Sequence, residues 1–233
     1  MLEIIREARA AHRKSLDEAQ AKRLVAAFGV RVPRSTILRE DADVDAAMSE
    51  LRAPLVLKAM APTLLHKSDA GGVRLRLDCA SAVRDAMRDM RTDRRMAAHS
   101  VDAFLLEEMA SSGHELVIGG RWDANFGPVA MLGLGGIFVE VFADVSFRLC
   151  PIERIDALEM IGELRGARVL EGARGGAVAS RDAIVDALMA VGGADGLMLR
   201  AEGAIAELDL NPVIVDAARA TAVDARVLLR VDA

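Results

Sequence analysis

Apolar positions recur first at helical spacing: Ile4, Ala8 and Ala11 within residues 2–14, then Leu16, Ala19, Leu24 and Phe28 within 16–29, where Gly29 stops the run. The pattern predicts two amphipathic helices, an extended piece over 30–38 and a third helix over 43–51. Pro54 then opens PLVLKAM, a compact apolar run of the kind that buried strands carry. Residues 72–77 alternate apolar and basic side chains with period two, which predicts a strand with one wet face. Residues 81–97 predict a helix in which Arg84, Arg88, Arg91, Arg94 and Arg95 are interleaved with Asp85, Asp89 and Asp93, the pattern of a solvated face.

Residues 104–109 predict a strand ending in a small polar turn, and HELVIGGRWD, PVAMLGL and SFRLCPI are three further extended runs. Helices near 153–165 and 181–191 lead to two closing strands, ELDLNPVIV and TAVDARVLL. Helices interspersed with hairpin-like strands lack the strand-helix-strand beat of a doubly wound sheet and predict an α+β fold of two lobes meeting near 104–109. No short-period repeat or low-complexity linker interrupts the pattern.

Composition narrows the function classes. The 233 residues, 52% hydrophobic and 28% charged, suffice for a sizeable core. A net charge of −5 disfavours a broad basic surface for nucleic acid. Cys79 and Cys150 are far apart and have no ligand at metal spacing, which points to a reducing, cytoplasmic setting. The longest uncharged run, 124–139, is short and broken by glycines, so no membrane span is expected. Glu3, Arg6 and Glu7 interrupt the apolar core that a secretory signal would need.

Chemistry concentrates in a few places. Lys58 sits inside an apolar run, where a buried ammonium needs an anionic partner; an edge-strand lysine reaching water would serve equally well. The segment His66-Lys67-Ser68-Asp69-Ala70-Gly71-Gly72 offers an imidazole, a cation, a hydroxyl and mobile backbone N–H groups, which suits a phosphoryl group. Gly133-Leu134-Gly135-Gly136 reads as a tight turn or a phosphate-facing loop, and Arg174 among glycines as a phosphate clamp or an ordinary loop arginine. Glu207, Asp209 and Asn211 alternate along one strand, with Asp224 in the next. Such oxygen ligands suit a nucleotide-bound magnesium, or else form a polar sheet face.

Seven motifs in order, LDEAQAKRLVAAFGV, PLVLKAMAPTLLHKSDAGGV, FLLEEM with GHELVIGG, FGPVAMLGLGGIFVE, VSFRLCPI, VLEGARG and ELDLNPVIV, resemble the ATP-grasp domain of ADP-forming acyl-CoA synthetases. In size the chain resembles the separately encoded β subunit of ADP-forming acetate-CoA ligase, and more distantly the succinyl-CoA synthetase β subunit. The resemblance implies an ATP-grasp fold, with residues 1–15 a helical extension, 16–106 one subdomain and 107–233 the other, and the nucleotide between the lobes. It implies a ligase reaction in which acyl-CoA, ADP and phosphate interconvert with acid, CoA and ATP. His66 would relay phosphate, with Arg174, Gly135 and Gly136 along its path; Lys58 would bind nucleotide phosphates. Glu107, Glu108 and Met109 would form the adenine hinge, Val56, Leu106 and Leu210 would supply aliphatic contacts, and Glu115 would approach the ribose or metal. Asn211 and Asp224, with Asp209 as a third, would hold Mg2+. A CoA-binding α subunit carrying a phosphorylatable histidine would be the partner in a hetero-oligomer. An independent ATP-grasp carboxylate ligase and a non-catalytic nucleotide sensor are the alternatives.

Overall fold

The computed structural model describes residues 2–61, 70–96, 99–136, 143–173 and 177–230. They form two compact units, one of residues 1–32 with 111–233 and one of 33–110. These limits differ from the expected 15/16 and 106/107, and the reason is non-local. Leu16 donates its N–H to Val227 O at 3.1 Å, Leu229 to Lys14 O at 2.9 Å and Ala222 to Arg31 O at 2.9 Å. The first 32 residues are thus stitched to strands from the other end of the chain, a pairing that local periodicity does not record.

In the larger unit, α1 (Glu3–Ala10) ends early because His12 adopts φ 53 and Arg13 N–H closes back on Ala8 O. Helix α2 (Glu18–Ala26) starts at Asp17, whose carboxylate takes the Gln20 N–H while the Gln20 side chain returns to Asp17 N. The sheet runs β10 (Arg226–Leu229), β8 (Ile205–Val215), β5 (His114–Asp123), β6 (Gly127–Leu134), β7 (Val145–Leu149), with β9 (Ala220–Ala222) also on β8, and every pairing is antiparallel. Helices α5 (Arg154–Glu163) and α7 (Arg181–Gly192), with the short α6 (Ala167–Leu170) and α8 (Leu197–Arg200), join the strands in one core. Leu116, Ile118, Leu132 and Leu208 from the sheet meet Met160, Ile184 and Leu188 there. Gly120 permits a close approach, since a Cβ there would fall 2.6 Å from Met198 Cγ. Of the expected closing strand TAVDARVLL, two pieces form and residues 223–225 lie between them.

The smaller unit orders its strands β1 (Ser35–Leu38), β4 (Ala103–Glu108), β2 (Leu55–Met60), β3 (Val73–Leu77), all antiparallel. Helices α3 (Asp43–Glu50) and α4 (Ala80–Thr92) bury Val44, Val83, Met87 and Met90 with Leu55, Leu57, Phe104 and Leu106. Helices share a core with one face of this sheet, and the central strands β2 and β4 are nevertheless buried almost throughout. Helix α4 stops five residues before the expected end: Thr92 Oγ turns back to the Arg88 and Asp89 carbonyls, and the Asp93 carboxylate takes the Arg95 N–H at 2.9 Å. Its arginines pair outward, Arg84 with Asp45 at 2.7 Å and Arg91 with Asp41 at 3.5 Å, as a solvated face requires.

The two thiols differ in environment. The Ser81 hydroxyl and helix backbone beside Cys79 lower its pKa, whereas burial pushes Cys150 up to about 11. At pH 8 iodoacetamide should therefore alkylate Cys79 at least about 100-fold faster than Cys150, because the thiolate is the reacting form. Peptide mass spectrometry over time checks this, and comparable rates would contradict it.

Candidate functional site

Lys58 lies in β2, flanked by β4 and β3, so it is not an edge-strand lysine. Its Nζ is 3.0 Å from Glu107 Oε2, with the two side chains 9% and 2% exposed. Val56, Lys58, Leu105 and Glu107 occupy one sheet face by register, while Leu55, Leu57, Phe104 and Leu106 turn to the helices. The partner that the sequence required for Lys58 is therefore Glu107, and Glu107 is not an exposed strand end. Glu108 alternates to the other side, where its Oε1 accepts from Arg52 N–H at 3.1 Å and lies 3.6 Å from Arg34. The N–H groups of Glu108 and Met109 are donated to Arg34 O and Pro54 O, both at 2.9 Å, so a base would meet this segment through other atoms. Leu106 and Leu210 are each buried within a helix-packed core, whereas Val56, also buried, belongs to the other sheet face.

In the larger unit β8 has one residue more than β5 between the pairs Leu116–Val213 and Ile118–Leu210, a bulge at Asn211 and Pro212. The bulge re-phases the strand, so Leu208 and Leu210 before it and Val213 and Val215 after it all enter one core. Pro212, lacking an N–H, sits where the ladder is already interrupted. Glu207 and Asp209 take the opposite face, with Arg121 and Arg226 as their respective cross-strand partners. Strands β9 and β10 pair with β8 in a single register, Ala222 on Val213 and Arg226 on Asp209. Carried through the interruption at 223–225, that register sets Asp224 abreast of Asn211. Val223 N–H donates to Pro212 O at 3.0 Å, and Asp224 Oδ1 accepts from Ala225 N–H at 2.8 Å. Asp224 thus stands at a break between strands, where the sequence pattern placed it inside one.

Burial, then the Glu207 carboxylate, push the Asp209 carboxyl above its ordinary range; Arg226 draws it down and Asp224 adds to the upward push. The donors are all oxygens, the choice of a hard cation. Among the described residues no group of three or more His, Cys, Asp or Glu is placed to hold an ion. A cation here would need further oxygens, as magnesium does when it arrives on phosphates. The donor set fits that ion.

A third cluster surrounds Glu115 at the start of β5. Gly135 N–H donates to Glu115 O at 2.7 Å, and a Cβ on Gly135 would lie 2.9 Å from the Glu115 backbone, so only glycine fits. The Glu115 carboxylate flanks Gly136, whose φ is +60. Sequence reasoning missed the neighbouring His114, whose Nε2 lies 2.6 Å from Ala177 O and so carries the proton. No local pattern marks it. His66 and Arg174 lie outside the described residues. No helix among the described residues is long and apolar enough to cross a membrane.

An antiparallel two-unit α+β chain with these features is an ATP-grasp protein: that family, described as the ATP-grasp domain, matches residues 7–229, and the chain belongs to it. Within the family its whole-length similarity is to β subunits of ADP-forming acetate–CoA ligases. The subunit β of acetate–CoA ligase [ADP-forming] I from Pyrococcus furiosus is 38% identical over 229 residues, 97% of each chain. The acetyl-coenzyme A synthetase 1 of Ca. Korarchaeum cryptofilum, solved with coenzyme A and Ca-AMPCP, superposes with TM-score 0.92 at 38% identity, covering 98% of this chain and 99% of that one. A second structure of that enzyme, with coenzyme A, Mg-AMPPCP and its phosphohistidine segment pointing towards the nucleotide-binding site, gives TM-score 0.84 at 39% identity, with coverage of 98% and 99%.

Breaking the Lys58–Glu107 pair leaves a buried charge. Lys58→Met should cost about 3 kcal/mol of unfolding free energy, and Lys58→Met with Glu107→Leu should recover most of it. Urea unfolding measures both; equal stability of single and double variants would contradict the buried-pair account.

Proposed function

We propose that this chain is the nucleotide-handling subunit of an ADP-forming acyl-CoA synthetase, completed by a CoA-binding subunit that carries a phosphorylatable histidine. The observation that carries the reading is the strand register that sets Asp224 abreast of Asn211, beside a carboxyl at Asp209 raised by burial and then by its acidic neighbours. These three residues would hold Mg2+. Bound there, the ion supplies positive charge that offsets the nucleotide phosphates. Lys58 is assigned to the phosphates, with Glu107 fixing its ammonium, and Val56, Glu108 and Met109 to the base. Glu115 with Gly135 and Gly136 is assigned to the ribose and phosphate path.

In the direction of ATP synthesis, His66 accepts a phosphoryl group from the partner's phosphohistidine: one N–P bond breaks and another forms. The terminal phosphate oxygen of ADP then attacks, the N–P bond to His66 breaks, and ATP leaves with His66 neutral again. Arg174 would offset the charge of the group in transit. Positioning and charge neutralisation account for most of the catalysis in such transfers.

Calorimetry of the purified chain tests this. Mg-ADP should bind in the micromolar range, Asp224→Ala should weaken binding at least tenfold, and the same variant should leave the EDTA titration almost unchanged. With the CoA-binding subunit, acetyl-CoA and phosphate, an acid-labile phosphoryl group should appear on the wild-type chain and not on His66→Ala. A wild-type chain that binds no Mg-nucleotide, alone or with that subunit, overturns the proposal.

A further inference from the structure

The Glu18–Lys22 pair of α2 has no part in the assignments above, yet its side chains are only 2% and 3% exposed and Nζ lies 2.8 Å from Glu18 Oε1. Lys22 Nζ also donates to the Val223 carbonyl at 2.6 Å, across 201 residues of sequence. We propose that this pair is a positioning device for Asp224, an inference that rests on the metal-binding role assigned to Asp224 in the preceding reading.

The geometry carries the argument. Residues 223–225 are where β9 and β10 part, so the ladder that fixes the backbone on either side is interrupted there. Other bonds hold it. Val223 N–H goes to Pro212 O at 3.0 Å, fixing the peptide before Val223. The Lys22 ammonium takes the Val223 carbonyl, fixing the peptide that leads into Asp224. A charge-assisted bond of 2.6 Å is stronger than the neutral ladder bond it replaces. The Asp224 carboxylate, anchored by Ala225 N–H, is thus aimed by peptide planes that α2 and β8 set independently. Glu18, one helical turn before Lys22, balances the buried charge and directs the ammonium. The Asp17 capping box in turn fixes where α2 begins.

Stability alone does not call for such a pair. Buried ion pairs are often replaced by apolar residues at no cost, while removing one partner is costly. An apolar pair of similar volume could pack α2 equally well; it could not donate a hydrogen bond to Val223 O. What is lost with the ammonium is therefore the orientation of the Val223–Asp224 peptide.

The test separates aim from stability, with Mg-ADP affinity relative to ADP in EDTA as one readout and thermal unfolding as the other. Lys22→Met with Glu18→Leu should melt within a few degrees of wild type and lose at least fivefold of the magnesium enhancement. Glu18→Gln, which keeps the ammonium on Val223, should melt lower and keep the enhancement. Should the Met/Leu variant not fold, Lys22→Met with Glu18→Gln is read in the same way. A folded double variant with the wild-type enhancement, while Asp224→Ala has lost it, overturns the positioning role. If Asp224→Ala itself keeps the enhancement, the metal-binding assignment fails and the inference falls with it.

Discussion

The bulge at Asn211 and Pro212 is the constraint around which the larger unit is arranged. Without it, the period of two would send Pro212 and Ile214 into the core after Leu208 and Leu210. With it, Val213 and Val215 take those places, and the strand can pack along its whole length. On its other edge β9 and β10 hold one register with β8 and part at residues 223–225. The register that β9 and β10 share on β8 sets Asp224 beside Asn211. The bulge gives the core its continuity at the place where these oxygens gather.

Two buried ion pairs stand next to residues assigned to function, one in each unit. Lys58 with Glu107 occupies the sheet face away from the helix-packed core of the smaller unit. Glu18 with Lys22 lies where α2 meets the interrupted strands of the larger one. Each takes charge out of water, which costs several kcal/mol per ion before any attraction is counted. Two such costs at positions where leucine would serve the fold argue that the charges are kept for geometry. The Arg148–Glu163 pair, partly solvent-exposed, is different: Arg148 and Ser146 lower the Glu163 carboxyl to about 2, so its contribution persists until the pH falls through that value.

Much of the fold was legible because its signals are local. Period-two alternation marked β3, and apolar positions at helical spacing marked α2. Illegible parts depended on distant partners. Nothing near Lys22 announces Val223, and nothing within 14–32 announces pairing with β9 and β10. The candidate site divides the same way. Alternation correctly put Glu207 and Asp209 on one face, but it could not supply the strand register that sets Asn211 against Asp224. It gave Lys58 a need for an anion without saying which; the register sets Glu107 within reach of it. Hydrophobicity alone does not say which sheet face Leu106 and Leu210 occupy; their packing with helix residues does.

The charge arrangement on the β8 face has a consequence for what it admits. Burial, and then the carboxylates of Glu207 and Asp224, raise the carboxyl of Asp209, and Arg226 draws it back without cancelling the push. Such a face repels a bare diphosphate. A divalent cation held by these residues would supply positive charge that offsets both the carboxylates and the nucleotide phosphates. On the proposed reading the carboxylates would then discriminate between metal-loaded and metal-free nucleotide before any chemistry occurs. That discrimination depends on where Asp224 points, which returns the argument to the broken ladder beside the bulge.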